Sequence, residues 1–266
     1  MTGPHTAGQP TDALLADDEP APFTVLCAQG RSPFLFTADH AGNRLPRALG
    51  DLGVCAAERL RHIAWDVGIE GVAHHLAAAL DAFTLLQPYS RLVIDANRHP
   101  GTPQSIVTRS ERTDIPGNLP LSTKCAERRV REIFAPYHQR LAAELDARAA
   151  ANRETVLVTL HSFTPVFLER ARAWHAGVLQ HRERRLGNAL LPLLRAEPNL
   201  VVGDNEPYAA SPATDYTLVV HGEQRGLLCV ELEVRQDLLA DDAGQREWAA
   251  RLARLLPLAL AGATRA

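Results

Sequence analysis

Cysteine is scarce in this chain of 266 residues, and the four that occur stand far apart at Cys27, Cys55, Cys125 and Cys229. With no C-x-x-C pair, a disulfide frame and a thiolate metal site are both excluded, and the four suit buried small residues of a reducing compartment. Long apolar runs are missing too. No stretch approaches membrane-spanning length and no basic start leads into an apolar segment, so a cytoplasmic protein without membrane contact is expected. An excess of positive charge is lacking: the formal net charge is −3, the pI is near 6.4, and no basic aromatic surface stands out. Nucleic acid is therefore not an expected partner. Arg greatly outnumbers Lys, which reads as genome composition. Internal repeats are absent, and nothing in the sequence assigns an oligomeric state.

What is present is an ordinary globular composition, 46% hydrophobic and 22% charged, long enough for a well-buried core. Residues 1–20 are rich in Gly, Pro, Thr, Asp and Ala without periodicity and read as a disordered arm; residues 21–263 read as one catalytic domain. Short β-rich runs are expected at 23–28, 34–37, 83–86, 92–94, 155–160, 176–179, 200–202 and 227–234. Helices are expected at 56–63, from Ile69 through Leu80, and at 122–152, 184–195, 212–223 and 243–262. Residues 99–121 form a long polar loop. Strands alternating with helices predict an α/β fold: a single three-layer domain with a mixed, largely parallel sheet flanked by helices.

Reactive side chains gather where these strands end. The run Phe34-Leu35-Phe36 stops at Asp39-His40 and a small-residue turn, Ala41-Gly42-Asn43. The run 92–94 leads to Asp95-Ala96-Asn97-Arg98, and 155–160 ends in His161-Ser162. The strand 227–234 carries Glu231 and Glu233 on one face by alternation. In open α/β sheets the carboxyl ends of strands are where ligands bind. His40 and His161 with Asp66 suit zinc with an open fourth position. Such an ion polarises a carbonyl and brings the pKa of a water toward neutrality. A free carboxylate, Glu231 or Glu233, could carry the proton. Arg98 assisted by Asn97 could hold a substrate carboxylate, with Arg91 a second candidate.

Plainer readings stand beside these. His40 reads as a turn histidine, Asp66 as a helix N-cap, and Arg98 as a structural partner of Asp95 or Glu233. His74 and His75 read as surface residues. His62, four residues before Asp66, could ligate only on one continuous helix. Ser162 lacks the G-x-S-x-G surroundings of a nucleophilic serine.

Six motifs occur in order: Asp39-His40-Ala41-Gly42-Asn43-Arg44-Leu45-Pro46, Trp65-Asp66-Val67-Gly68, Ser90-Arg91 through Asp95-Ala96-Asn97-Arg98, His161-Ser162-Phe163-Thr164-Pro165, Asp204-Asn205-Glu206-Pro207-Tyr208, and Glu233-Val234-Arg235-Gln236-Asp237. Together, over roughly residues 30 to 255, they resemble the N-formylglutamate amidohydrolase family. The resemblance implies a zinc-dependent amidohydrolase of carboxypeptidase-like and amidase-like α/β fold. Its small-molecule substrate would be N-formyl-L-glutamate, from which formate is released late in one route of histidine breakdown. Another N-acyl amino acid or a small peptide is the alternative substrate, and a non-catalytic metal- or ligand-binding homologue the alternative of another class. Carried over by position, His40, Asp66 and His161 become the zinc ligands. Zinc amidases that cleave muramyl peptides show a similar order, with an apolar strand followed directly by Glu that favours Glu231. The Glu-x-Arg-x-Asp pattern favours Glu233, which is preferred as the base with Glu231 in reserve. The Asn97-Arg98 pair resembles the Asn-Arg grip of zinc carboxypeptidases and aspartoacylase-like enzymes on a substrate carboxylate. In those relatives a Glu follows the first His by three. Here that position is Asn43, so the carboxylate ligand has to come from Asp66.

Overall fold

A computed structural model describes residues 13–265. A seven-stranded sheet is built from β1 (Thr24–Leu26), β2 (Phe34–Ala38), β3 (Phe83–Leu86), β6 (Val156–Phe163), β9 (Ala176–Leu179), β10 (Val202–Asp204) and β11 (Leu228–Arg235). Its order is β1-β3-β2-β6-β11-β9-β10. The inner pairs β3/β2, β2/β6 and β6/β11 are parallel, as is β9/β10, while β1 on β3 and β9 on β11 run antiparallel. The mixed, largely parallel sheet expected from the alternation of elements is present, in one domain flanked by helices.

The helices are α1 (Ala56–Arg59), α2 (Ile69–Leu80), α3 (Thr123–Arg129), α4 (Ala135–Ala150), α5 (Arg185–Arg195) and α6 (Asp242–Ala263). A π-helical turn, Val130–Phe134, joins α3 to α4. Two hairpins lie outside the main sheet, β4 (Arg109–Ser110) with β5 (Thr113–Asp114) and β7 (Val166–Phe167) with β8 (Arg170–Ala171).

Alternation along the strands explains the layers. Phe34 and Phe36 of β2, Val158 and Leu160 of β6, and Val230 and Leu232 of β11 face α2, α5 and α6, with Leu76, Leu190 and Leu252 among their partners. Burying each large aliphatic side chain of this kind is worth about 1.5–3 kcal/mol. The opposite face begins apolar, where Leu35, Leu157 and Cys229 pack under Tyr137, Leu141 and Leu145 of α4. In the parallel register Leu157 lies beside Leu35 and Cys229, Thr159 beside Thr37 and Glu231, and His161 beside Glu233. The same face therefore turns from an apolar row to two polar rows as the strands approach their carboxyl ends. All of these polar residues are buried.

Several expected elements differ. No strand forms over 92–94: residues 91–93 are a turn and Ile94 follows it without regular structure. Leu92 packs with Leu52, Val54 and Ile115, while Val93 and Ile94 pack with Leu14 and Phe134, so their apolar character serves burial without pairing. The helix expected at 56–63 stops at Arg59, and the strand expected at 200–202 begins only at Val202. Over 212–223 the regular part is a π-helical turn, Thr217–Gly222, followed by a 3-10 turn, Glu223–Arg225. The loop 99–121 contains the β4–β5 hairpin and a 3-10 turn, Pro116–Asn118. Of the arm expected over 1–20, residues 1–12 lie outside the described residues. Residues 13–20 are packed against the domain: Leu14 is 1% exposed, and Glu132 Oε2 accepts its N–H at 2.6 Å.

Candidate active site

Two glycines let the loops after β2 and before α2 press close against neighbouring backbone. In the Asp39–Asn43 turn a Cβ on Gly42 would lie 2.1 Å from the Pro88 carbonyl oxygen. Gly68, at φ +81°, occupies the left-handed region, and a Cβ there would meet the Leu239 carbonyl oxygen at 2.4 Å. Gly68 is also the N-cap of α2, so Asp66 is not the cap. The Asp66 N–H donates to the His40 carbonyl at 2.9 Å, and its Oδ2 accepts the Ser162 N–H at 3.3 Å. The Ser162 hydroxyl donates to the Val67 carbonyl at 2.9 Å, a structural bond.

His40, Asp66 and His161 converge, each offering one ligand atom within 4.8 Å of the others, and all three are buried. Asp66 Oδ2 lies 2.8 Å from His161 Nδ1 and 3.4 Å from His40 Nδ1. His40 Nε2 meets Asp95 Oδ1 at 2.7 Å. A proton on that nitrogen leaves a lone pair on Nδ1 facing the Asp66 carboxylate. Burial would raise Asp66, but the His40 and His161 imidazoles beside it hold it well below the usual carboxylate range. Burial would lower His161, but the carboxylates Glu231, Asp66 and Glu233 outweigh it and push the imidazole well above its ordinary value. The cluster thus draws positive charge into a buried set of two imidazoles and a carboxylate. That donor set fits a divalent ion such as zinc.

Around the cluster, Arg91 fastens Asp95 through Nε and Nη2 at 3.1 and 2.6 Å and lies 3.5 Å from Asp66. Burial would raise Asp95, but Arg91 and then His40 hold it well below its ordinary value. On the other side of His161, Nε2 stands 3.9 Å from Asp39 Oδ2 and 3.8 Å from Glu231 Oε2. Asp39 Oδ1 accepts the Tyr137 hydroxyl at 2.6 Å, and Glu231 accepts the Thr159 hydroxyl at 3.2 Å. Burial, with the charge of Asp215, pushes Glu231 well above the usual carboxylate range. Glu233, one polar row nearer the strand end, is pushed up to about 7, chiefly by burial, and its Oε2 has no hydrogen-bond partner.

His40, Asp66, Arg91, Asp95, His161, Glu231 and Glu233 line a cavity of about 440 Å³ together with Asn97 and Arg98. Asn97 Oδ1 accepts the Thr217 N–H at 3.0 Å. Arg98 Nη1 donates to the Asn97 carbonyl at 3.0 Å and to the Thr214 carbonyl, so Arg98 is held by carbonyls and pairs with neither Asp95 nor Glu233. The expected site residues thus come together. Arg91 is engaged with Asp95 and Asp66, and Glu231 lies deeper than Glu233. His62 lines the cavity wall beside Glu111, at 3.5 Å. His75 pairs with Asp242 at 2.9 Å near the surface. The part played by Asp95 escapes a reading of the residues, because a three-residue turn and not a strand delivers it. Its spacing from Arg91, four residues on, is the one local signal.

Fold and site define a class: an α/β protein with a mixed sheet and a candidate metal centre at the carboxyl ends of its inner strands. Within it, the family model for N-formylglutamate amidohydrolase matches residues 32–240, and the chain belongs to that family of amide hydrolases. The structure of gene product Atu2144 from Agrobacterium tumefaciens is 35% identical, covers 93% of this chain and 98% of its own, and superposes with a TM-score of 0.90. N-formylglutamate amidohydrolase from Ralstonia eutropha JMP134 shares the fold at a TM-score of 0.67 and 20% identity, with 92% of this chain and 100% of that one covered. Comparison with the curated proteins found no match. Among the described residues no helix is long and apolar enough to cross a membrane.

Proposed function

We propose that this chain hydrolyses the amide bond of an N-acyl amino acid, first of all N-formyl-L-glutamate, to formate and L-glutamate. The reading is carried by one juxtaposition. A buried His40–Asp66–His161 set and the unpartnered carboxylate oxygen of Glu233 belong to the same cavity as Arg98, a guanidinium tied only to carbonyls. His40, Asp66 and His161 would hold the ion, zinc in the first place. A bound ion of this kind supplies Lewis acidity to the substrate carbonyl and to the attacking water. Arg98, steadied by Asn97, holds the substrate α-carboxylate and so fixes the amide relative to Glu233. Glu233 takes a proton from water as its oxygen attacks the acyl carbon. It then delivers that proton to the departing nitrogen as the C–N bond breaks, so water is divided between formate and the free amine.

Glu231 has a different place in this reading. It lies level with Thr159, one row behind His161, and approaches the imidazole from its Nε2 side. Asp66, which the reading takes as a ligand, bonds the Nδ1 side. Glu231 and Asp39 therefore face the Nε2 side of His161 as charges without hydrogen-bonding it, and Glu233 is the base.

The test is formate release from N-formyl-L-glutamate by protein of measured metal content. Chelation abolishes turnover and zinc restores it. Glu233→Gln loses on the order of 10²–10⁴ in kcat with metal content intact. Full activity in metal-free protein, or in His161→Ala, sinks the reading.

A further inference from the structure

Substrate recognition needs more than the α-carboxylate grip, and the arginines around the cavity differ in how much of their charge is free. Arg91 is bound to Asp95 and lies beside Asp66, both buried carboxylates. Arg61 is bound to Glu58 and Glu111. Arg98 has carbonyl partners only. One other guanidinium is in the same condition as Arg98. Arg172, half-buried, has no carboxylate within ion-pair range among the described residues. Its side-chain bond to the Thr164 carbonyl is long, at 3.4 Å.

The guanidinium of Arg172 is nonetheless held in place. Its carbon stands 5.6 Å from the ring centroid of Phe163, 4.9 Å from that of Phe167 and 4.7 Å from that of Tyr208. All three rings line the cavity. Its backbone is fixed as well: the Arg172 N–H donates to the Pro165 carbonyl at 2.8 Å, and Arg235 donates to the Arg172 carbonyl at 3.4 Å. Three aromatic faces and the Tyr208 side chain remove much of the rotamer freedom of an arginine while leaving its charge unneutralised by an acid. Packed on three rings of the cavity wall and without an acid to neutralise it, this guanidinium is prepared for an anion from outside the chain.

We infer that Arg172 reads the distal acidic group of a dicarboxylic N-acyl amino acid, while Arg98 holds the α-carboxylate. This rests on the proposed function and adds the residue that makes the site choose an acidic side chain. Two guanidiniums without acid partners match two carboxylates. A neutral side chain leaves the Arg172 charge unanswered, so discrimination resides in this residue and not in general cavity size.

Steady-state kinetics with N-formyl-L-glutamate and its neutral isostere N-formyl-L-glutamine decide the matter in wild type, Arg172→Gln and Arg172→Lys. Wild type favours the glutamate substrate. In Arg172→Gln its KM rises on the order of 10- to 100-fold with kcat little changed, while the glutamine substrate keeps its KM. Arg172→Lys recovers part of the preference, since it restores the charge but not the planar fork. An equal loss on both substrates assigns Arg172 to structure alone and overturns the inference, as does a wild type indifferent to glutamate and glutamine. If neither substrate turns over, the proposed function fails and the inference is decided by calorimetric binding of L-glutamate and L-glutamine. Weaker glutamate binding in Arg172→Gln upholds it, and unchanged binding overturns it.

Discussion

Asp95 spends both carboxylate oxygens. Oδ1 accepts from His40 Nε2 at 2.7 Å and from the Asn97 N–H at 2.9 Å, while Oδ2 takes two bonds from Arg91. One side chain thus fixes the tautomer of a candidate ligand and the backbone of the Asn97-Arg98 turn. Partners that orient a ligating histidine commonly account for 10- to 100-fold in metal affinity. Asp95→Asn keeps the shape but removes the charge and one acceptor. Its expected effect is a loss of about 10- to 100-fold in zinc affinity, read by titrating metal-free protein calorimetrically. Affinity equal to wild type would show that His40 needs no such partner. The same charge argument separates Arg91 from Arg98. Both are arginines near the cavity, but Arg91 is spent on Asp95 and Asp66, which leaves Arg98 for a ligand.

Among the elements, the hinge of the site is the junction of the Trp65–Gly68 turn with α2. Gly68 has a positive φ and a close neighbour in the Leu239 carbonyl, so Gly68→Ala is expected to cost about 1–3 kcal/mol. It should also displace Asp66 and weaken metal binding. Urea unfolding together with metal titration checks both effects, and loss of stability without loss of affinity would show that Asp66 is positioned from elsewhere. The candidate ligands just after β2 and on β6 are legible in the sequence because strand alternation and an abrupt apolar-to-polar change mark them. Glu231 and Glu233 are legible as a pair, but their order of depth is not. It is set by the register of β11 on β6, which places Glu231 by Thr159 and Glu233 by His161. Leu92, Val93 and Ile94 mislead because three apolar residues satisfy strand propensity and core burial equally well. Composition misleads at 13–20 for the converse reason: two leucines, Leu14 buried and Leu15 packed beside it, are enough to seat a segment that is otherwise small and acidic. The Arg172 platform depends on rings at 163, 167 and 208 that only the β7–β8 hairpin and the loop after β10 bring together, and no spacing encodes that.

At the scale of the whole molecule, two buried histidines tie the helical layer to the site. His138 of α4 donates from Nε2 to the Ala96 carbonyl at 2.8 Å and accepts at Nδ1 from His221 Nε2 at 3.1 Å. Each stands beside a π-helical turn, His138 after Val130–Phe134 and His221 within Thr217–Gly222. Burial lowers His138 to about 4, and burial with the neighbouring His138 lowers His221 to about 3. In the unfolded chain both take a proton near pH 6.5. Between 6.5 and about 4 the unfolded state therefore binds more protons than the native one, and stability falls as the pH is lowered. Each histidine contributes about 1.4 kcal/mol per pH unit across its window. Asp66 and Asp95, with depressed native values, add a loss in the same direction only below about pH 4, where unfolded carboxylates protonate. His161, raised in the native state, acts oppositely: its stabilisation is full below pH 6.5 and is lost at higher pH. A comparison with His221→Gln cancels these other groups. The variant keeps a donor for His138 but does not titrate, so its deficit relative to wild type should shrink by about 1.4 kcal/mol per pH unit below 6.5. Urea unfolding of both proteins between pH 7.5 and 4.5 measures the gap, and parallel stability curves would show that His221 is not held neutral by the fold.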